Sequence, residues 1–130
     1  MKRAILDTNV LIDGRFGLGP GFELAVTAVS YAELEFGANL PTISPEQRAM
    51  RLQSLNRLRA RFGAGLPFDD AAAASYGLIT RLVLESGRQV RGRAHDLMIA
   101  AIAHVNGAAL ITADLDDFGS LDPLVRIIRP

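Results

Sequence analysis

Four acidic side chains occur where a protein of this size could hold a divalent cation. Asp7 directly follows an apolar run near the N-terminus, and Asp114 lies just beyond the apolar run that ends at Thr112. The other two acids, Glu33 and Asp96, belong to segments with helical spacing. Ligand sites of parallel sheets lie at the carboxyl ends of their strands, so the four carboxylates are expected to meet there.

Each acid also has a purely structural interpretation. Asp7 and Asp96 can cap helices, where a carboxylate meets the positive end of the helix dipole, and Asp114 can belong to a turn. Glu33 has apolar neighbours, so its charge needs a partner or an opening to water. Taken together, four clustered acids repel each other, and a divalent cation offsets that repulsion. Mg²⁺ and Mn²⁺ favour such oxygen ligands.

The composition excludes most other chemistries. There is no cysteine, which removes disulfides, thiolate zinc sites and cysteine nucleophiles, and no glycine-rich phosphate loop with its lysine is present. His95 and His104 are the only histidines, and both suit structural positions, although His95 lies beside Asp96. Lys plus Arg and Asp plus Glu number 14 each, so the zero net charge does not by itself indicate nucleic-acid binding.

Short apolar runs alternate with helical segments, which predicts a parallel sheet covered on both faces. Strands are predicted near 3–6, 25–28, 66–68, 109–112 and 124–128, and glycines mark a loop over 14–21. Helices are predicted from Thr8, after Ser30, after Ser44, over 71–85 and over 96–105. We expect a single α/β domain over 1–130, with three α/β/α layers and about five mainly parallel strands.

The N-terminus carries no signal-peptide pattern, because polar residues interrupt the apolar run at Asp7. No apolar stretch reaches the roughly 18 residues of a membrane span. We therefore expect a cytoplasmic protein with no membrane partner.

Three segments carry a resemblance to a known family, and they read ILDTNVLID, SYAELEFG and HDLMIAAIAHVNGAALITADLDDF. In order and spacing they resemble the PIN domain, specifically the VapC-type toxins of type II toxin–antitoxin pairs. The resemblance spans nearly the whole chain. It implies a PIN-like fold.

The resemblance implies which residues form the site. Asp7, Glu33 and Asp96 match the family's acidic positions. The fourth acid is a choice among Asp114, Asp116 and Asp117, of which Asp114 is favoured as catalytic and the others as possible metal ligands. Asn9 and Thr112 are expected to support the ligands through hydrogen bonds.

The resemblance also implies Mg²⁺- or Mn²⁺-dependent endoribonuclease activity on RNA of the translation apparatus, such as transfer RNA or ribosomal RNA. Cations at the acids would activate a water that attacks the scissile phosphorus. A VapB-type antitoxin would inhibit the enzyme, and the protein would form homodimers. Arg91 and Arg93, just before Asp96, are the expected RNA-binding residues, with a solvated loop as the alternative. The arginines of 48–61 belong to an exposed helix side or an antitoxin-facing surface.

Three rival interpretations follow from the same residues. A phosphotransferase of the haloacid dehalogenase type would need a second Asp where Asn9 stands. A response-regulator receiver domain would need a late lysine, and the only lysine is Lys2. A catalytically inactive PIN-like RNA-binding or interaction module remains an alternative, although all four acidic positions are filled.

Overall fold

The protein is described by a computed structural model that covers residues 2–14 and 21–130, without the side chain of Asp117. The loop predicted over 14–21 falls mostly outside these ranges. In chain order the elements are β1 (Lys2–Leu6), α1 (Thr8–Asp13), β2 (Phe22–Ala25), α2 (Ala28–Ala38), α3 (Pro45–Phe62), α4 (Asp70–Glu85), α5 (Ala94–Val105), β3 (Ala109–Ile111), α6 (Leu115–Phe118), a 3₁₀ turn (Gly119–Leu121) and β4 (Ile127–Ile128).

The described strands form one parallel sheet in the order β2-β1-β3-β4. The chain leaves β1 towards β2 on one side, whereas β3 continues to β4 on the other. A crevice therefore opens beyond the carboxyl ends of β1 and β3, which is where open α/β sheets place their ligands. The predicted α/β class and parallel sheet are confirmed.

Side chains of the two central strands, β1 and β3, alternate between the two faces of the sheet, so the core forms one cluster on each face. Ile5 and Leu110 pack into one cluster with the apolar sides of α4 and α5. Ala4, Leu6 and Ile111 pack into the other cluster, towards α1, α2 and α3. Successive side chains of a strand point to opposite faces, so short apolar strands can be buried on both sides. This arrangement confirms the predicted three layers.

The described sheet has four strands rather than about five. The extended segment at 66–68 contributes only an isolated bridge between Leu66 and Thr27. Pro67 has no backbone N–H to donate to a longer ladder. The last strand is also shorter than predicted, because Leu124 N and Val125 N donate to Leu121 O at 2.8 and 2.9 Å in a turn, and only Ile127–Ile128 joins the sheet.

The second strand and the helix after it begin earlier than the apolar pattern predicts. β2 ends at Ala25, and the predicted residues 25–28 instead carry the chain into α2. Thr27, not Ser30, is the N-cap, because its Oγ1 accepts a hydrogen bond from Ser30 N at 3.1 Å. Ser30 is thereby placed inside the first turn, with its hydroxyl available for other contacts.

Helix α5 begins at Ala94, two residues before the predicted start. Arg93 is its N-cap residue and makes no side-chain cap, whereas Asp96 lies in the first turn. Other predicted boundaries are confirmed: Ser44 and Gln47 form a capping box at the start of α3, and Asp69 caps α4. In the described part of the chain, no helix is long and apolar enough to cross a membrane.

Candidate acidic site

Asp7 occupies the centre of the crevice and is only 2% exposed. It follows β1 directly, and its backbone N–H donates to Ile111 O at 2.9 Å, which holds it beside β3. One carboxylate oxygen accepts from Thr8 N at 2.9 Å and the other from Thr112 Oγ1 at 2.8 Å. Asp7 therefore caps α1 and also contacts Thr112, the residue directly after β3.

Burial raises the pKa of Asp7 from 3.8 to about 6. The hydrogen bond from Thr112 opposes that rise, the charge of Asp96 adds to it, the Thr8 hydrogen bond opposes it and the charge of Asp114 adds to it. Burial and two neighbouring acids both raise the free energy of the charged carboxylate. The same surroundings favour a bound cation.

Asp114 reaches the site through two hydrogen bonds. Its Oδ2 accepts from Asn9 Nδ2 at 2.9 Å, and its backbone N–H donates to Thr112 Oγ1 at 3.1 Å. The Thr112 hydroxyl thus accepts from Asp114 and donates to Asp7, so it links the two acids. Asn9 also leaves its Oδ1 buried without a hydrogen-bond partner among the described residues.

The other two candidates for the fourth acid are placed differently. Asp116 is exposed, and its backbone carbonyl accepts a hydrogen bond from Arg88 Nη1. Its side chain has no hydrogen bond to the site in the part of the chain that the structure describes. The side chain of Asp117 lies outside the described residues. Of these two described residues, only Asp114 is connected to Asp7, because its backbone N–H donates to the Thr112 hydroxyl that donates to Asp7.

Glu33 enters the site from α2. Its Oε1 accepts from Thr8 Oγ1 at 2.7 Å, and its Oε2 lies 3.5 Å from His95 Nδ1. A cavity of about 350 Å³ lies beside it, lined by Glu33, Gly92, Ala94, His95 and Asp96. Glu33 of α2 and the N-terminal end of α5 line this cavity together, and Asp96 of α5 provides its second carboxylate.

The predicted RNA-binding arginines lie on the approach to α5. Arg91 is exposed in the turn before the helix. Arg93 is partly buried and holds its guanidinium 5.7 Å from the centre of the Phe118 ring. Both therefore lie on the segment that lines the rim next to Asp96.

The donor set suits a hard divalent cation. The approaching side chains offer carboxylate oxygens, and the buried Asn9 Oδ1 is a further oxygen without a partner among the described residues. Within residues 2–14 and 21–130, no group of three or more acidic or histidine side chains is arranged to hold a metal ion. The acids are near one another in pairs: Asp96 and Asp114 both act on the pKa of Asp7, and Glu33 and Asp96 line one cavity. Mg²⁺, which keeps several of its waters, needs only one or two carboxylates.

Sequence reasoning did not find the hydroxyl groups behind the acids. Thr8, Thr27 and Ser30 lie within hydrogen-bond distance of one another or of Glu33. The available signal is that Thr8 and Ser30 lie just beyond two predicted strands and Thr27 lies inside the second of them. Such residues are also common helix caps, so the signal is ambiguous without tertiary contacts.

A second, larger groove begins at the same site. It has a volume of about 800 Å³ and lies between α1, α2 and α3, with Thr8 and Glu33 at one end. Apolar side chains form much of its lining, including Leu11, Ile12, Leu34, Met50, Leu55 and Leu58, and its basic members are Arg51, Arg57 and Arg61. Ile12 and Met50 are 72% and 66% exposed. Exposed apolar groups in a groove are typical of interaction surfaces.

Comparison with known proteins places this geometry in a family. The model of the PIN domain matches residues 4–122. A structure of a member of the VapBC family of toxin–antitoxin systems from Mycobacterium tuberculosis is 36% identical, with 99% of this chain and 98% of that chain covered and a TM-score of 0.77. The search of curated proteins gave no match.

Two further solved structures share the fold over nearly the whole chain. DNA-bound VapBC from Salmonella typhimurium is 27% identical over 99% of this chain and 98% of that one, with a TM-score of 0.76. FitAcB from Neisseria gonorrhoeae is 26% identical over 96% of both chains, also with a TM-score of 0.76.

The chain therefore belongs to the PIN-domain family. The predicted resemblance to VapC-type toxins is confirmed by the family match together with the VapBC structures. PIN domains of this type are nucleases, and such nucleases generally use divalent metal ions.

Proposed function

We propose that this protein is the toxin of a toxin–antitoxin pair and acts as an Mg²⁺- or Mn²⁺-dependent endoribonuclease. The observation that carries the proposal is Asp7, a buried carboxylate at the sheet crevice whose neighbours include two further acids. Its substrate would be RNA of the translation apparatus, either transfer RNA or ribosomal RNA. That substrate agrees with the cytoplasmic location expected from the sequence.

The proposed roles follow the contacts at the site. Asp7, Glu33, Asp96 and Asp114 would hold the cation, with Asp116 and Asp117 as the less favoured candidates for the fourth acid. Thr112 orients Asp7, and Asn9 orients Asp114. The bound cation would supply positive charge for phosphodiester hydrolysis.

The arginines near α5 would bind the RNA backbone. Arg91 and Arg93 precede Asp96 at the rim, and a guanidinium can contact two phosphate oxygens at once. Replacing Arg93 by Ala should remove one phosphate contact. The slope of log binding constant against log salt concentration should then become shallower by about 1. An unchanged slope would remove Arg93 from the RNA interface.

A VapB-type antitoxin would inhibit the enzyme from the groove between α1, α2 and α3. The VapBC structures are complexes of a toxin–antitoxin family, and here the groove is continuous with the acidic site through Thr8 and Glu33. A segment lying in the groove would therefore reach the acids. We also propose a homodimer, in keeping with the family resemblance.

Induction in a bacterial host, followed by sequencing of new RNA 5′ ends, tests the proposal. We expect growth arrest and a small set of new ends in transfer or ribosomal RNA. The variant Asp7→Asn, expressed at the same level, should produce neither. New ends that persist with Asp7→Asn would contradict the assigned site. RNA binding without new ends would favour the inactive-module alternative.

A further inference from the structure

Buried hydroxyl groups form a chain behind the acidic site. Thr27 and Ser30 are 0% exposed, and Thr8 is 9% exposed. Thr27 Oγ1 lies 3.5 Å from Ser30 Oγ, Ser30 Oγ lies 2.8 Å from Thr8 Oγ1, and Thr8 Oγ1 lies 2.7 Å from Glu33 Oε1. Buried polar groups are normally hydrogen-bonded. Here the hydrogen bonds run in series from Thr27 through Ser30 and Thr8, and the last one is accepted by the carboxylate of Glu33.

The direction of the chain follows from the number of protons. A carboxylate only accepts, so Thr8 donates its single hydroxyl proton to Glu33. Ser30 must then donate to Thr8, and its oxygen is left to accept from Thr27. Each hydroxyl is thereby fixed in orientation by its neighbour, and the Thr8 hydroxyl is aimed at Glu33.

Thr8 is in contact with two acids of the site at once. Its backbone N–H donates to Asp7 Oδ1 at 2.9 Å, while its hydroxyl donates to Glu33 Oε1 at 2.7 Å. The Glu33 side chain is 27% exposed and has several rotatable bonds, so it would otherwise sample other rotamers. The other contact to this carboxylate is His95 at 3.5 Å, which is longer and comes from a side chain that is 63% exposed.

We propose that Thr8 and Ser30 are positioning residues that hold the Glu33 carboxylate at a set distance from Asp7 for cation binding. The inference rests on the proposed function of the acidic site. Neither hydroxyl needs to touch the cation or the RNA. Their contribution is to keep Glu33 in one rotamer before the cation arrives, since partners behind metal ligands typically contribute tenfold or more to affinity.

Mn²⁺ binding to the purified protein, measured by calorimetry, tests the inference with four variants. Thr8→Val keeps the shape but removes the hydroxyl, and Thr8→Ser restores a hydroxyl. Ser30→Ala removes only the group that orients Thr8. Ser75→Ala is the matched control, because Ser75 is also buried and hydrogen-bonded, but to His104 on the far side of the core. Circular dichroism melting reports whether each variant is folded.

We expect Thr8→Val to weaken Mn²⁺ binding by about tenfold or more and Ser30→Ala by about threefold to tenfold. Thr8→Ser and Ser75→Ala should stay within about threefold of the parent protein. Wild-type affinity in folded Thr8→Val overturns the inference, as does an equal loss in Thr8→Ser.

If Thr8→Val does not fold, equal affinities of Ser30→Ala and Ser75→Ala overturn the inference. A parent protein that binds no Mn²⁺ contradicts the proposed function itself, together with this inference. The two failures are therefore distinguishable.

Discussion

Asp7 combines burial, a capping role and a position between two other acids. Its hydrogen bonds from Thr8 and Thr112 stabilise the charged form, but burial outweighs them. A carboxyl group with a raised pKa costs folding free energy when it is charged. The charged Asp7 carboxylate therefore lowers the stability of the cation-free protein, and the same burial beside other acids favours cation binding.

The stability of the cation-free protein should depend on pH through Asp7. Below pH 3.8 the group is protonated in both states, and its stabilising effect is lost as the pH rises through about 6. The loss is about 3 kcal/mol, from roughly 1.4 kcal/mol per pKa unit. Urea unfolding in EDTA should therefore show Asp7→Asn gaining stability relative to the parent between pH 4 and pH 7.5. A difference between the two proteins that does not change with pH would contradict the raised pKa.

A matched pair of variants tests Asp114 against Asp116 as the fourth acid. Asp114→Asn removes a carboxylate that accepts from Asn9, and it leaves in place the backbone N–H that donates to Thr112 beside Asp7. Asp116→Asn changes a nearby exposed acid whose side chain has no hydrogen bond to the site in the described part of the chain. We expect Asp114→Asn to lower RNA cleavage at least about tenfold and Asp116→Asn to leave it within about threefold. The reverse order would assign the role to Asp116.

Residue type and order along the chain are enough to propose Asp7, Glu33 and Asp96 as a set, and their role stays a prediction. Sequence alone does not choose among Asp114, Asp116 and Asp117, because they lie within one four-residue stretch after the same strand. Contacts with Asn9 and Thr112 distinguish Asp114 from Asp116, and Asn9 is more than 100 residues away from Asp114 in the chain. The hydroxyls of Thr8 and Ser30 were missed for the same reason.

At the scale of elements, the start of α2 positions both Ser30 and Glu33. It is fixed by a parallel bridge between Thr27 and Leu66, with Ala28 N donating to Leu66 O at 2.9 Å. Gly65 makes this approach possible, because a Cβ there would lie 2.6 Å from Ala28 N and 2.8 Å from Thr27 C. Backbone atoms on both sides leave no flexible group that could yield.

Gly65→Ala should therefore destabilise the protein by about 1–3 kcal/mol and disturb the start of α2. Gly77→Ala is the control, since a Cβ at this exposed position of α4 meets nothing within 4 Å. It should stabilise the protein by about 0.5–1 kcal/mol, because Ala is the better helix former. Thermal or urea unfolding of both variants measures the difference. Equal stability of the two variants would show that the bridge tolerates the added methyl group.

Element types were predictable from periodicity and capping signals, but several boundaries were not. The apolar run at 25–28 looks like a strand because short apolar runs are typical of buried parallel strands, but only Ala25 belongs to β2. Its end is decided by the cap that Thr27 makes and by the distant Leu66. The start of α5 was placed at Asp96 because an acid is a frequent cap, whereas this helix begins without a side-chain cap.

At the scale of the whole molecule, the candidate acidic site and the apolar groove meet at α1 and α2. The acidic crevice lies at the carboxyl end of the sheet, and the apolar groove extends from it along α3. Thr8 and Glu33 belong to both. An antitoxin segment in the groove would thus be able to reach the acids without covering the rest of the protein.

Met50→Glu should weaken antitoxin binding without changing RNA cleavage by the free protein. Met50 lines the groove and is 66% exposed, so a charge there is tolerated in solution but opposes an apolar partner. Leu84→Glu is the matched control, because Leu84 is 61% exposed on α4 and does not line the groove. Titration of each variant with its antitoxin gives the affinities. Equal loss of affinity in both variants would place the antitoxin elsewhere.

The carboxylates around Asp7 are proposed to bind a divalent cation on which RNA cleavage depends. The most direct measurement is cleavage of total bacterial RNA by the purified protein with Mn²⁺, with Mg²⁺ and with EDTA, alongside Asp7→Asn. We expect new 5′ ends with either cation, none in EDTA, and none from folded Asp7→Asn. Undiminished cleavage in EDTA, or equal cleavage by Asp7→Asn, would contradict the proposal.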